Sequence, residues 1–278
     1  MSPLELPPTD TLELVHADGV VHVTLARPQA RNAMSAAMVR ELVSVFEAVR
    51  ERRDVRVIVL RGSGGHFCAG GDIKDMSAAR SAALAPGDPD PIAVMNRQFG
   101  AALSVFNAAP QAVIAVCEGA VMGGGFGLAC VADVTIAVEG AKFRLPETSL
   151  GVTPAQIAPF IVQRVGITHA RRLAVTGARL GARDAVALGI AHRYAEDTGE
   201  AERLLAHVID EVRRCEPHAV ALTKQLMLKV AAVELEEVLD DAARDFADAA
   251  RSDAAVEGMT AFMQRRPPAW APATKEPA

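Results

Sequence analysis

Aromatic rings are scarce in this chain: nine Phe, one Tyr and one Trp make up 4% of its 278 residues. A core so poor in rings has to be assembled from Ala, Val, Ile and Leu, which favours close packing of helices and strands over large aromatic plugs. Also lacking is any apolar run near the ~20 residues that a membrane-spanning helix needs, so no membrane partner is expected. Basic residues are not in excess. The net charge of −5 argues against nucleic acid as the main partner. The four cysteines (68, 117, 130 and 215) include no C-x-x-C pair, and the seven histidines form no H-E-x-x-H, so neither a metal site nor a disulfide framework is expected. Residues 1–10 carry three prolines and two acids where a secretory leader has a basic start and an apolar run, and a cytoplasmic location is the expectation.

What is present alternates in type. Val20 to Leu25 reads as a strand, Ser35 to Arg52 as a helix and Val55 to Leu60 as a strand, the signature of a βαβ unit. The same order returns with Ala112 to Cys117, a glycine cluster, a short apolar helix near Phe126 to Val131, and a buried strand over Val134 to Val138. Beyond Pro154 helical periods take over, at 155–165, 168–176, 182–188, 200–214, 218–231 and 234–264. The fold class is therefore α/β, with a core over 1–200 and a helical part over 201–278. Ser77 to Pro91 is rich in Ala, Pro, Asp and Gly and is expected to be a mobile lid. The tail after Trp270 is expected to fray.

The chemistry is sought where both buried-strand units end, in Gly62-Ser63-Gly64-Gly65-His66-Phe67-Cys68-Ala69-Gly70-Gly71-Asp72 and in Gly119-Ala120-Val121-Met122-Gly123-Gly124-Gly125-Phe126-Gly127. Neither carries a complete G-x-G-x-x-G frame, so a dinucleotide fingerprint is absent. Glycine turns serve equally well for tight packing. Two such turns, each ending a strand and opening a helix, could instead supply two free backbone N–H donors to a developing oxyanion.

These residues resemble a known family. Arg27-Pro28-Gln29-Ala30-Arg31-Asn32-Ala33-Met34, Phe67-Cys68-Ala69-Gly70-Gly71-Asp72, Gly119 through Gly125, Leu145-Pro146-Glu147-Thr148-Ser149-Leu150-Gly151, and Glu257-Gly258-Met259 with Phe262 are similar, in order, to the motifs of the crotonase (enoyl-CoA hydratase/isomerase) superfamily. The stretches 122–128 and 146–160 resemble the branch that includes isohexenylglutaconyl-CoA hydratases. The resemblance implies a spiral of ββα units with a helical carboxy-terminal trimerisation region, a homotrimer or dimer of trimers, and an acyl-CoA thioester substrate. No cofactor is implied, coenzyme A being part of the substrate.

By position, the resemblance makes the backbone N–H groups of Ala69 and Gly124 the pair that binds the thioester oxygen, and Glu147 the acid/base. Gly127 stands where hydratases of the family commonly carry a second glutamate. Gln156 is the candidate to hold a water, since an amide both donates and accepts; as a surface or capping residue it would have no such role. For substrate or coenzyme contact the candidates are Arg31, Gly70, Asp72, Phe262 and Arg265, the last two reaching the adenine and its phosphate from a neighbouring subunit. Asp72 is also placed to cap the following helix, and Arg31 and Arg265 to be solvated. Hydration of an enoyl-CoA is the expected reaction. The alternatives are 3,2-enoyl-CoA isomerisation by Glu147 alone and a degenerate acyl-CoA binder.

Overall fold

The computed structural model describes residues 3–85 and 87–272. A six-stranded sheet forms its centre: β1 (Leu12–Ala17), β2 (Val20–Leu25), β3 (Val57–Gly62), β4 (Ala112–Cys117), β6 (Val134–Val138) and β9 (Arg193–Ala195) lie side by side in that order. Only the β1–β2 pair is antiparallel; Val21 pairs with Ile58, Val59 with Ile114 and Val116 with Ile136 in the parallel remainder. A second sheet holds β5 (Ala120–Met122), β7 (Lys142–Arg144) and β8 (Arg179–Leu180).

Alternation along the strands divides the core in two. Val21, Val23, Ile58, Leu60, Val113 and Ala115 face α1 (Ala36–Val49), α3 (Pro91–Asn107) and α4 (Gly124–Val131). Val20, Val57, Val59, Ile114, Val116 and Ile136 face the opposite side, where α7 (Thr198–Arg213) covers them with Ala201, Leu205 and Val208. The sequence-based boundary at 200/201 thus assigns to the appended part a helix that packs on the sheet. The remaining carboxy-terminal helices are α8 (Pro217–Val230), α9 (Leu235–Ala250) and α10 (Asp253–Gln264).

The expected strands over 20–25, 112–117 and 134–138 are present. The helical segments 155–165 and 168–176 are the two arms of α5 (Ala158–Thr176), kinked at Gly166, which has φ 70°. The expected segment 234–264 is two helices, because Ser252 accepts from the Ala255 N–H at 3.1 Å and starts α10 anew. Residues 77–81 belong to α2 (Ile73–Ser81), so the expected lid begins as helix; α6 spans Ala182–Ala187. The expected fraying after Trp270 falls largely on residues 273–278, outside the described residues.

Candidate active site

Asn32, fully buried after β2, ties together the turns that follow β2 and β3. Its Nδ2 donates to the carbonyls of Ser63 (2.8 Å) and His66 (2.7 Å), while its Oδ1 accepts from the Arg27 N–H. The chain then runs beside β5: Cys68 donates to the Ala120 carbonyl at 2.8 Å and accepts from the Met122 N–H at 2.9 Å. This pairing brings the first glycine turn against the second. A β-carbon on Gly123 would lie only 3.7 Å from the Cα of Gly70.

Backbone hydrogen bonds decide which N–H groups of the first turn are available, because a buried donor is nearly always paired. The Ala69 N–H donates to the Arg31 carbonyl at 3.0 Å, that of Gly70 to Cys68 Sγ at 3.4 Å, and that of Asp72 to the Met34 carbonyl at 2.9 Å. Ala69 does not line the cavity described below. The expected donor Ala69 is therefore spent. Gly71 lines the cavity, and its N–H has no acceptor among the described residues. In the second turn Gly123 has φ 49°, a conformation suited to glycine, and serves as N-cap of α4. Gly124 is the first residue of that helix, where an N–H has no intrahelical partner, and it too lines the cavity.

Glu147 opens a short 3₁₀ turn, Glu147–Leu150, after β7. Three hydrogen bonds hold this turn: Ser149 Oγ donates to the Pro146 carbonyl (2.6 Å), Thr148 Oγ1 to the Ala174 carbonyl (2.9 Å), and the Val152 N–H to the Glu147 carbonyl (3.0 Å). Arg144 donates to the Gly177 carbonyl and to Ser149 Oγ, and lies outside the cavity lining. The carboxylate Oε2 is buried without a hydrogen-bond partner, and burial pushes the Glu147 pKa above its ordinary value.

Gly71, Gly124, Glu147 and Gln156 all border one cavity of about 1060 Å³ between α1, α3 and residues 147–157. Gln156 lies across α3 at Gly100; its Oε1 is 1.9 Å from where a β-carbon on that glycine would stand. Gly127 is buried in α4, and the space its side chain would need is taken by Ile157, whose Cγ2 is 2.5 Å from the β-carbon position. Hydrocarbon packing thus occupies the position where the family resemblance leads one to expect a second carboxylate.

The coenzyme candidates divide. Asp72 acts as N-cap of α2, accepting from the Lys74 N–H at 2.8 Å, and pairs with Arg27 at 2.6 Å. Burial pushes its carboxyl up, but the Arg27 hydrogen bond and the Lys74 N–H outweigh that and hold it below the usual range. It also borders the cavity. Gly70, at φ 102°, shapes the turn and does not line the cavity; Arg31 is exposed and contributes its carbonyl to Ala69. Phe262, 85% exposed, and Arg265 lie on and just after α10, away from this chain's own cavity.

Sequence comparison matches residues 16–273 to a family described as enoyl-CoA hydratase/isomerase. An enoyl-CoA hydratase/isomerase from Marinobacter aquaeolei superposes with a TM-score of 0.91 at 50% identity, covering 94% of this chain and 99% of that one. Pseudomonas aeruginosa AtuE superposes with a TM-score of 0.90 at 52% identity, over 95% of this chain and 100% of that one. Enoyl-CoA hydratase ACTT6 of Alternaria alternata is 33% identical over 219 residues, 78% of this chain and 69% of that protein.

Proposed function

Since the chain belongs to the enoyl-CoA hydratase/isomerase family and has its crotonase-type fold, we propose that it adds water across the 2,3 double bond of an enoyl-CoA thioester. The observation that carries this reading is the unpartnered, burial-shifted carboxylate of Glu147 in one cavity with two backbone donors, Gly71 and Gly124. The thioester oxygen would accept from both N–H groups, and loss of either would cost about 3 kcal/mol in the transition state. Gln156 would hold a water over C3. As the water oxygen bonds to C3, Glu147 takes its proton, the C2–C3 π pair moves into the enolate, and Glu147 returns the proton to C2. A carboxyl with a raised pKa suits both halves of that exchange.

The same carboxylate supports a second reading, favoured by the hydrocarbon at Gly127 and Ile157. In a 3,2-isomerisation, Glu147 takes the C2 proton of a 3-enoyl-CoA and returns it to C4 through a dienolate, with no water required. Incubation with paired 2-enoyl and 3-enoyl thioesters in D₂O separates the two. A C3 hydroxyl with deuterium at C2 supports hydration; exchange at C2 and C4 without hydroxyl assigns isomerisation instead. Ligand-induced stabilisation without turnover of either substrate would make the protein an acyl-CoA binder. Isohexenylglutaconyl-CoA, suggested by the branch resemblance, is the first acyl group to try. Assembly as a homotrimer or dimer of trimers is part of the proposal, with Phe262 and Arg265 reaching a neighbour's coenzyme. Its support is the exposure of Phe246 (75%) on α9 and Phe262 on α10.

A further inference from the structure

We propose that Met34 is a positioning residue that holds the two oxyanion donors in register. This inference rests on the reading of Gly71 and Gly124 as donors. Met34 is the residue whose main chain fixes one donor and whose side chain bears on the other. Its N–H donates to the Gly70 carbonyl at 2.8 Å, and its carbonyl accepts from the Asp72 N–H at 2.9 Å. Those two bonds form a one-residue parallel bridge, which turns the intervening Gly71 N–H to the opposite side, toward the cavity. The side chain then crosses to the second turn. Its Cε stands 2.3 Å from where a β-carbon on Gly124 would be, and Phe99 Cζ lies 3.1 Å from the same point. The space beside the first residue of α4 is thereby filled by a thioether methyl and a ring.

Met34 is itself 6% exposed and borders the cavity. An unbranched thioether can reach a neighbouring turn and fill an irregular gap there, whereas a shorter side chain leaves a void beside the helix start. Electrostatic stabilisation by two backbone donors depends on their being aimed at one point before charge develops. Met34 has no proton to give and no charge to offer the substrate. Its contribution is the angle between two N–H vectors that come from turns more than fifty residues apart in sequence.

The test reads carbonyl polarisation directly. Cinnamoyl-CoA, a conjugated enoyl thioester, is bound to Glu147→Gln to prevent turnover, and the red shift of its absorbance is recorded. Met34→Ala in the same background is expected to reduce that shift by roughly half or more while the probe still binds, and Met34→Leu to give an intermediate shift. In the Glu147-containing chain, Met34→Ala is expected to lower kcat by about 10-fold to 100-fold with KM changed far less. A purely structural role would lower the unfolding midpoint and leave the red shift in place. An unchanged shift or an unchanged kcat in Met34→Ala overturns the proposal. Should that variant fail to fold, a full shift and full kcat in Met34→Leu overturn it equally. If the bound probe shows no shift even in Glu147→Gln, the donor assignment itself fails, and that outcome is distinct from a shift insensitive to Met34.

Discussion

The carboxylate of Glu147 lies against the α-carbon of Gly123, its Oε1 2.8 Å from where a β-carbon on that glycine would stand. The proposed acid/base therefore sits one residue from the proposed donor Gly124, and the bare α-carbon is what allows it.

Gly123→Ala should consequently be far more harmful to activity than to folding. The methyl meets the carboxylate, and φ 49° strains any residue but glycine, so stability is expected to fall by about 1–2 kcal/mol. Displacement of Glu147 should lower kcat by about 100-fold. Thermal unfolding and steady-state kinetics on the same preparation measure the two effects; full activity in the variant would mean Glu147 does not act from this position.

Replacement of Glu147 by Gln is expected to abolish most turnover, by about 10²-fold to 10⁴-fold. It should also stabilise the protein at neutral pH. Burial raises the folded-state pKa above the ordinary 4.5, so the folded chain holds the proton more tightly than the unfolded one. That contribution is complete below the unfolded value and is lost as pH rises through the folded one. The variant's advantage in unfolding midpoint should accordingly appear at neutral pH and vanish below pH 4.5. In the intact protein, the acidic limb of kcat/KM against pH should lie above the range of an ordinary carboxylate.

Gln156→Ala separates water addition from proton transfer. Hydration is expected to drop by about tenfold or more while exchange of the C2 proton with D₂O survives in the hydrated product. Equal loss of both would make Gln156 a packing residue against Gly100.

A carboxylate cannot simply be introduced at position 127. Gly127→Glu is expected to destabilise the chain by about 1–3 kcal/mol, because Ile157 occupies the space, and to gain no activity. Combined with Ile157→Ala, which opens a void beside it, the same substitution should recover most of the lost stability. Unfolding midpoints of the single and double variants measure the coupling.

Much of the fold was legible because its strands are buried on both faces and read as continuous runs, as Ala112–Cys117 does. The edge strand β1 was not, since Glu13 and His16 interrupt its apolar residues and its outer side is exposed. Nor were β5, β7, β8 and β9, which have two or three residues each and too short a pattern to show a period. At the site, the two glycine turns and the capping role of Asp72 could be read from residue type and spacing, whereas Glu147 was marked by the family resemblance. The resemblance points to Ala69 by position, whereas the unspent N–H of that turn belongs to Gly71, two positions on.

The sequence by itself determined the alternation of buried strand, glycine turn and helix, and the bare α-carbon at Gly127; the resemblance marked Glu147. These are local properties, carried by hydropathy period and by glycine's lack of a β-carbon. Tertiary structure alone decided which N–H groups of the turn are spent. The carbonyl that accepts from the Ala69 N–H belongs to Arg31, and the bridge that frees Gly71 belongs to Met34. It also decided that Ile157 fills the space beside Gly127 and that Gln156 lies over Gly100. A hydrogen bond or a filled void between residues thirty or more positions apart depends on where two backbones cross. No spacing within either segment carries that information.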